Sequence, residues 1–324
     1  MPSASIIICA YSDQRWPDLN RLIESLRVQT LVPNEIILVI DHNDRLLARA
    51  QAAFTDIAVA PNRFGQGASG GRNTGFELSS GEILVLLDDD TVADPTWLEN
   101  LLRPLSDETV LGTGGYLEPL WEGTKPAWLS GEFNWVVGCS YTGLPTTESR
   151  IRNPISANMS VRREVFERAG GFEQALSRLD TGGVVTGTAE ETEFCIRALR
   201  ALPGSSWMFV PDARVMHIVP ESRTTWTFYR QRCRLEGASK AILTELAGPS
   251  DGLSSERAYL TSVLPRAVVR ELSMAFRGNL DGFRRAGAIV AGLVYTVSAY
   301  ARVKMQMAIG HRSRPTPSVT KIQA

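Results

Sequence analysis

The sequence predicts an α/β fold: a mostly parallel, Rossmann-like nucleotide-binding sheet flanked by helices, followed by a C-terminal helical extension. Three observations carry that reading. Short runs rich in branched residues, at 6–10, 35–40 and 83–87, uncharged apart from the leading Glu35, have the length and composition of strands buried on both faces. Between them apolar residues recur at helical spacing, as at Leu19, Leu22, Ile23 and Leu26. Such alternation implies parallel strands joined by right-handed crossovers. The third observation is a compositional change after about residue 247. There 248–252 (GPSDG) reads as a linker, and two helical segments follow at 255–276 and 280–309. The chain therefore divides into an α/β domain over 1–247 and a basic helical extension over 248–324.

The elements follow in order. Residues 6–10 form a first buried strand, and a helix runs to Gln29. Pro33 closes the loop before the strand 35–40 (EIILVI), which delivers Asp41 to its carboxyl end. A helix over 45–54 and a weaker strand at 57–60 lead into 61–75, PNRFGQGASGGRNTG. Glycines at this density permit close backbone approach to a ligand, and the helix that follows favours an anion at its N-terminus. Arg72 adds a fixed positive fork; the alternative is a flexible turn. No Gly-Lys-Ser/Thr follows, so the loop is not a Walker loop. The strand 83–87 then ends in Asp88, Asp89 and Asp90. Adjacent carboxylates repel, so they stay ionised only where solvent, cations or a metal absorbs the charge. Carboxyl ends of strands in an open α/β sheet are where ligands bind. A solvated acidic turn capping the helix at Asp94-Pro95 is the competing reading.

Composition bounds the partners. With 324 residues, 44% hydrophobic and 21% charged, the chain is long enough for one large α/β domain plus an appendage. A formal net charge of −1 offers no electrostatic argument for nucleic acid. Cys9, Cys139, Cys195 and Cys233 show no C-x-x-C spacing and have three histidines for company, which argues against a zinc site or a disulfide framework. A reducing environment is expected. The N-terminus begins directly with a strand, so the active domain is expected in the cytoplasm.

Four signals in sequence order carry a resemblance: Cys9-Ala10-Tyr11-Ser12, Val39-Ile40-Asp41, Gly71-Arg72-Asn73-Thr74-Gly75 and Leu87-Asp88-Asp89-Asp90. Together they resemble the family-2 glycosyltransferases of the GT-A fold, which are inverting enzymes. The resemblance implies a nucleotide-sugar donor bound along Ala10, Tyr11, Asp41, Arg72, Asn73, Asp88 and Asp89. Asp41 would face the nucleobase, and Arg72 with Asn73 the nucleotide. Asp88 and Asp90 would hold a divalent cation, Mg2+ or Mn2+, on the diphosphate. His217, following the strand at 207–210, would complete that metal site; a structural hydrogen-bonding role is the alternative. The resemblance extends to 153–161 (NPISANMSV), where Asn158 would face the acceptor. It also covers Gly187-Thr188-Ala189-Glu190-Glu191, where such enzymes place their catalytic base at a helix start. An inverting transfer needs a carboxylate to take the acceptor hydroxyl's proton. The usual pair there is Glu-Asp; here it is Glu190-Glu191. Glu191 is the favoured base, with Glu190 the alternative.

Residues 229–237 resemble the Gln-x-x-Arg-Trp signature of processive polymerases, with Leu235 in place of the Trp. Transfer of a single sugar is therefore expected, with Arg232 or Arg234 facing the diphosphate or a solvated basic helix face as the plainer account. Trp121, Trp128 and Trp135 either stack on a sugar or lipid-linked acceptor or pin a long loop. Beyond residue 257 of the extension Arg266, Arg270, Arg277, Arg284, Arg285, Arg302, Lys304, Arg312, Arg314 and Lys321 stand against Glu271 and Asp281 alone. The uncharged run 286–301 falls short of a span of roughly 20 apolar residues. Basic ends with apolar faces suit peripheral contact with the inner face of the plasma membrane; packing on the domain, or on a second copy in a homo-oligomer, is the other reading. The expected function is metal-dependent transfer of one sugar from a nucleoside diphosphate, UDP favoured, to a hydroxyl of a saccharide or lipid-linked glycan, as in cell-envelope or exopolysaccharide synthesis. A sugar nucleotidyltransferase and a catalytically silent carbohydrate-binding or scaffold protein are the alternatives.

Overall fold

Four parallel strands at the N-terminus are ordered β3-β2-β1-β4. They are β1 (Ala4–Ala10), β2 (Glu35–Ile40), β3 (Ala58–Pro61) and β4 (Ile83–Asp88). The crossovers are α1 (Trp16–Arg27), α2 (Asp44–Ala53) and α3 (Ala68–Leu78). The computed structural model describes residues 2–174, 179–180, 185–186, 189–248 and 256–312. Successive side chains of a strand point to opposite faces, which is why charge in these strands is confined to their ends, at Glu35 and Asp88. Ile6, Ile8, Val85 and Leu87 pack with Leu19, Leu22 and Ile23 of α1 on one face. Ile7, Leu84 and Leu86 pack with Phe166, Phe172, Phe194 and Trp207 on the other.

Beyond β4 the sheet becomes mixed. The following elements are β5 (Thr91–Ala93), α4 (Trp97–Leu102), β6 (Val110–Trp121), β7 (Ser149–Ile151), β8 (Asn158–Arg162) and α5 (Arg163–Ala169). A small antiparallel pair, β9 (Leu179–Asp180) and β10 (Val185–Thr186), precedes α6 (Glu190–Ala201) and β11 (Ser206–Val219). The order continues β4-β8-β6-β11-β5, with β8 antiparallel to both neighbours and β6 parallel to β11. The strand expected at 207–210 runs on to Val219, with a register shift between Val210 and Arg214. Pro211 lies inside that irregularity, where a residue without an N–H does least harm to a ladder. This continuation matters because β5 pairs antiparallel with its far half, setting His217 opposite Thr91.

The extension packs on the α/β domain. After α7 (Trp226–Ala247), a π-helical turn at Tyr259–Val263 leads into α8 (Leu264–Phe276) and α9 (Asp281–Arg312). Phe133 and Val136 from the aromatic insert share one core with Tyr229 and Cys233 of α7, Leu264 and Ala267 of α8, and Ile289 of α9. The basic residues divide into two groups. Arg270 pairs with Glu132 at 2.8 Å, and Arg270 and Arg285 both grip Glu271, at 2.6 and 2.5 Å. Lys304 pairs with Glu245. Partners from outside the extension were invisible to composition. Arg266, Arg277 and Arg302 stay exposed, without an ion pair among the described residues. The long helix also departs from expectation: residues 281–309 are long and apolar enough to cross a membrane by length and composition, with 28% of the most apolar window buried. The uncharged run alone understated it. The linker after Gly248 and the chain beyond residue 312, with Arg314 and Lys321, fall outside the described residues.

Candidate active site

The carboxyl ends of β1, β2 and β4 open into one cleft of about 1470 Å3, whose far walls are α6, α7 and the extension. Ala10, Tyr11, Asp41, Arg72, the three aspartates, Glu190, Glu191, His217 and Arg232 all line it. Sequence positions over 200 residues apart therefore meet in one space.

Asp88 ends β4, and Asp90 occupies the turn into β5, where the Ile218 amide donates to its backbone carbonyl at 2.8 Å. His217 Nε2 lies 3.3 Å from Asp90 Oδ1. One potential ligand atom from each of Asp88, Asp90 and His217 falls within 4.8 Å of the others. Burial lowers the His217 pKa against the opposing pull of Asp90, favouring the neutral imidazole that can ligate a metal. Asp90 Oδ1 is buried without a hydrogen bond among the described residues, a costly state unless a ligand satisfies it. Two carboxylates and an imidazole suit a divalent cation such as Mn2+ or Mg2+. The residues present fit the expected metal. Asp90 Oδ2 faces Arg15 at 3.2 Å and Arg223 at 3.4 Å. Asp89 instead turns into an ion pair with Arg15 at 2.5 Å; burial outweighs that pairing and pushes its pKa up to about 7.

Arg72 is 5% exposed and ties three groups together. Its guanidinium lies 3.5 Å from Asp88 and 3.3 Å from Glu190, and donates to Ser156 Oγ at 2.8 Å. Glu190 is thus a buried partner of a buried cation. Burial raises its pKa, with Arg72 opposing. Glu191 makes no ion pair among the described residues; its Oε2 accepts from the Ser156 amide at 3.1 Å and from the Ser156 hydroxyl. Burial raises its pKa too, opposed first by the Ser156 hydrogen bond. Of the two acids, Glu190 is held by Arg72 and Glu191 by Ser156.

Asp41 braces the Gly-rich loop. Its Oδ1 accepts from Asn62 Nδ2 at 2.7 Å and its Oδ2 from the Gly67 amide at 2.9 Å. Gly67, at φ 128°, adopts a conformation that other residues rarely do. The anion expected at the start of the Gly-rich helix is in part this carboxylate.

Four expected site residues lie elsewhere. Asn158 is fully buried; its Oδ1 accepts from Trp97 Nε1, and its Nδ2 donates to the carbonyls of Tyr116 and Ala213. It knits β6, β8 and β11 together. Asn73 brackets Phe172, donating to its carbonyl and accepting from its amide, and so fixes the Gly170-Gly171 turn. Trp128 packs edge-on against Trp226 and Tyr229, a loop pin. Arg234 lies over the Tyr295 ring, two residues and so more than half a helical turn from Arg232. Of the three tryptophans, Trp135 reaches the cleft. Sequence reasoning missed Arg15, Ser156 and Arg223. Ser156 lay within the quoted 153–161 segment, whereas the two arginines carried no signal.

With this geometry in view, residues 5–170 match the family described as Glycosyl transferase family 2. A curated relative, glucosyl-dolichyl phosphate glucuronosyltransferase of Haloferax volcanii, is 31% identical over 272 residues, covering 83% of this chain and 85% of that protein. The chain belongs to glycosyl transferase family 2. This glycosyltransferase also resembles a mannosyltransferase from Pyrobaculum calidifontis solved with GDP-Man and Mn2+, at TM-score 0.56 and 16% identity over 91% of this chain and 87% of that one. A structure of GalNAc-T7 with UDP, GalNAc and Mn2+ matches at TM-score 0.51 and 19% identity, over 74% of this chain and 48% of that one. At these identities the two structures speak to the fold, which is GT-A.

Proposed function

We propose that this glycosyltransferase moves one sugar, with inversion, from a nucleoside diphosphate to a hydroxyl of a saccharide or lipid-linked glycan. The observation that carries the reading is the convergence of Asp88, Asp90 and His217 with Glu191 in one cleft. A divalent cation held by the triad would neutralise charge on the leaving diphosphate. Arg72 holds Asp88 and Glu190 in register, and Ser156 aims Glu191. The acceptor oxygen attacks the anomeric carbon as the bond to the diphosphate breaks, and its proton passes to the Glu191 carboxylate. Arg223 and Arg232 add positive charge along the same wall. The relative's name specifies a glucosyl-dolichyl phosphate, which favours a lipid-linked acceptor here.

The site's place in the cell follows from the same reading. On α8, α9 and the turn between them, Val269, Phe276, Leu280, Val290, Val294 and Met305 are at least half exposed. Arg266, Arg277 and Arg302 border them. This face would lie on the anionic cytoplasmic leaflet, each basic residue contributing about 1 kcal/mol.

The decisive experiment is a thermal-shift screen of nucleotide sugars with and without Mn2+, followed by transfer assays with the stabilising donor. Glu191→Gln is expected to keep donor binding and lose transfer by roughly 10²-fold or more. Normal transfer by Glu191→Gln beside an inactive Glu190→Gln would exchange the two roles. Release of pyrophosphate would identify a nucleotidyltransferase, and donor binding without turnover a silent binding protein. Liposome flotation tests the membrane face: a full chain that stays soluble with anionic vesicles at low salt refutes it.

A further inference from the structure

A second charged cluster in the cleft takes no part in the transfer chemistry. Phe228, Arg232, Glu236 and Lys240 recur every fourth residue along α7, and all four face the cleft. Lys240 therefore lies about 12 Å farther along the helix than Arg232. Its Nζ is 2.6 Å from Glu256 Oε1 and 3.4 Å from Glu236 Oε1. Arg152 approaches the same carboxylate as a fork, Nη1 2.9 Å from Oε2 and Nη2 3.1 Å from Oε1. Arg152 belongs to the segment that ends in Ser156, the residue that positions Glu191, so the cluster is tied to the reacting centre through four residues of chain.

The arrangement is that of a bound oxyanion. An arginine fork and an ammonium converging on one carboxylate present the donors that a phosphate takes. Burial works against ionisation of Glu256, but Lys240 and Arg152 overcome it and pull its pKa down to about 2. The carboxylate is therefore ionised near neutral pH, so another anion, and not protonation, would be needed to displace it. The side chains of Arg152, Lys240 and Glu256 are 11%, 15% and 20% exposed, so the cluster is reachable from the cleft. The adjoining wall is apolar: Leu260, Val263, Leu293 and Val297 line it. Val297 is 52% exposed and continues into the apolar outer face of α9.

We propose that Arg152 and Lys240 form a subsite for the phosphate of a prenyl-phosphate-linked acceptor, that the prenyl chain runs along the Leu260–Val297 wall, and that Glu256 occupies this subsite until the phosphate displaces it. The proposal deepens the lipid-linked reading above and rests on it for its biological meaning. Its chemistry is read by binding alone.

The test is calorimetric titration of the full chain, in detergent, with farnesyl phosphate, farnesol and inorganic phosphate. Farnesyl phosphate is expected to bind the parent, to bind Glu256→Gln at least about tenfold tighter, and to bind the Arg152→Gln/Lys240→Gln double variant at least about tenfold weaker. Inorganic phosphate should follow the same order at lower affinity, and farnesol should not distinguish the three proteins. Glu236→Gln removes a second carboxylate from Lys240 without touching the Glu256 contact, and is expected to tighten farnesyl phosphate several-fold. If Glu256→Gln and Glu236→Gln melt at the parent's temperature and bind farnesyl phosphate no tighter, Glu256 is a tether and the proposal is overturned. If inorganic phosphate binds as tightly as farnesyl phosphate, the apolar track is no part of the site and the lipid assignment fails. No donor or turnover enters these measurements, so failure of sugar transfer would leave a positive result standing.

Discussion

Replacing Gly237 by Ala tests whether the extension belongs to the same folding unit as the α/β domain. A Cβ at Gly237 would stand 2.0 Å from the Thr296 carbonyl oxygen and 2.9 Å from its carbon, both backbone atoms of α9. Neither can rotate away, so α7 and α9 must part by more than 1 Å to reach ordinary contact, the tightest commonly met Cβ contacts being about 3 Å. Overpacking of this kind costs about 1–3 kcal/mol. The separation also strains the hydrogen bond from the buried Tyr229 hydroxyl to the Ala288 carbonyl, 2.7 Å long, whose loss costs about 1–3 kcal/mol. Helix propensity returns about 1 kcal/mol. The net expectation is a loss of about 1–5 kcal/mol, set against a typical stability of roughly 5–15 kcal/mol. Gly287 is the internal control: among the described residues no atom beyond its own stretch of α9 lies within 4 Å of its ideal Cβ, so Gly287→Ala should stabilise by about 0.5–1 kcal/mol. Urea unfolding of both variants, with limited proteolysis after residue 247, provides the assay. Equal stability of Gly237→Ala and parent, or the same sign for both substitutions, would refute the close packing of α7 on α9.

Three further outcomes are expected. Asp90→Asn should weaken Mn2+ binding, followed by electron paramagnetic resonance of the free ion, by at least about tenfold, while Asp89→Asn, whose side chain pairs with Arg15, should weaken it less; undetectable Mn2+ binding by the parent would remove the metal assignment. Ser156→Ala removes the hydroxyl that opposes the upward shift of Glu191. Its pKa should rise further, so transfer, which needs the ionised base, should fail at a higher pH on acidification while surviving at alkaline pH; superimposable profiles would argue against Glu191. Glu271→Gln strips Arg285 and Arg270 of a partner that is 3% exposed. Breaking a buried pair costs about 3–5 kcal/mol, reduced here to about 2–3 because Arg270 is nearly half exposed; an unchanged urea midpoint would count against a structural role for the network.

The local pattern determined the first ninety residues almost completely. Uncharged branched runs ending in acids specify parallel strands because strands buried on both faces cannot carry charge until they emerge, and emergence is where Asp41 and Asp88 stand. Order along the chain was likewise enough to connect Arg72 and the Glu190-Glu191 pair with the aspartates through a family resemblance. What sequence order could not carry was direction in space. Asn158 looked like a pocket residue because it sits in the right segment, but on β8 it points into the sheet junction, while Ser156, two residues earlier, turns to the acid. Arg15, Arg223, Arg152 and Glu256 entered the cleft through loops and helix ends whose positions depend on how β11 and α8–α9 close over the sheet. The extension shows the same limit: its basic residues appeared nearly unopposed because Glu132 and Glu245, which neutralise Arg270 and Lys304, lie far back in the chain. Periodicity reports which face of an element is buried. Which distant charge lies across from that face is decided by packing, and only the folded chain contains that information.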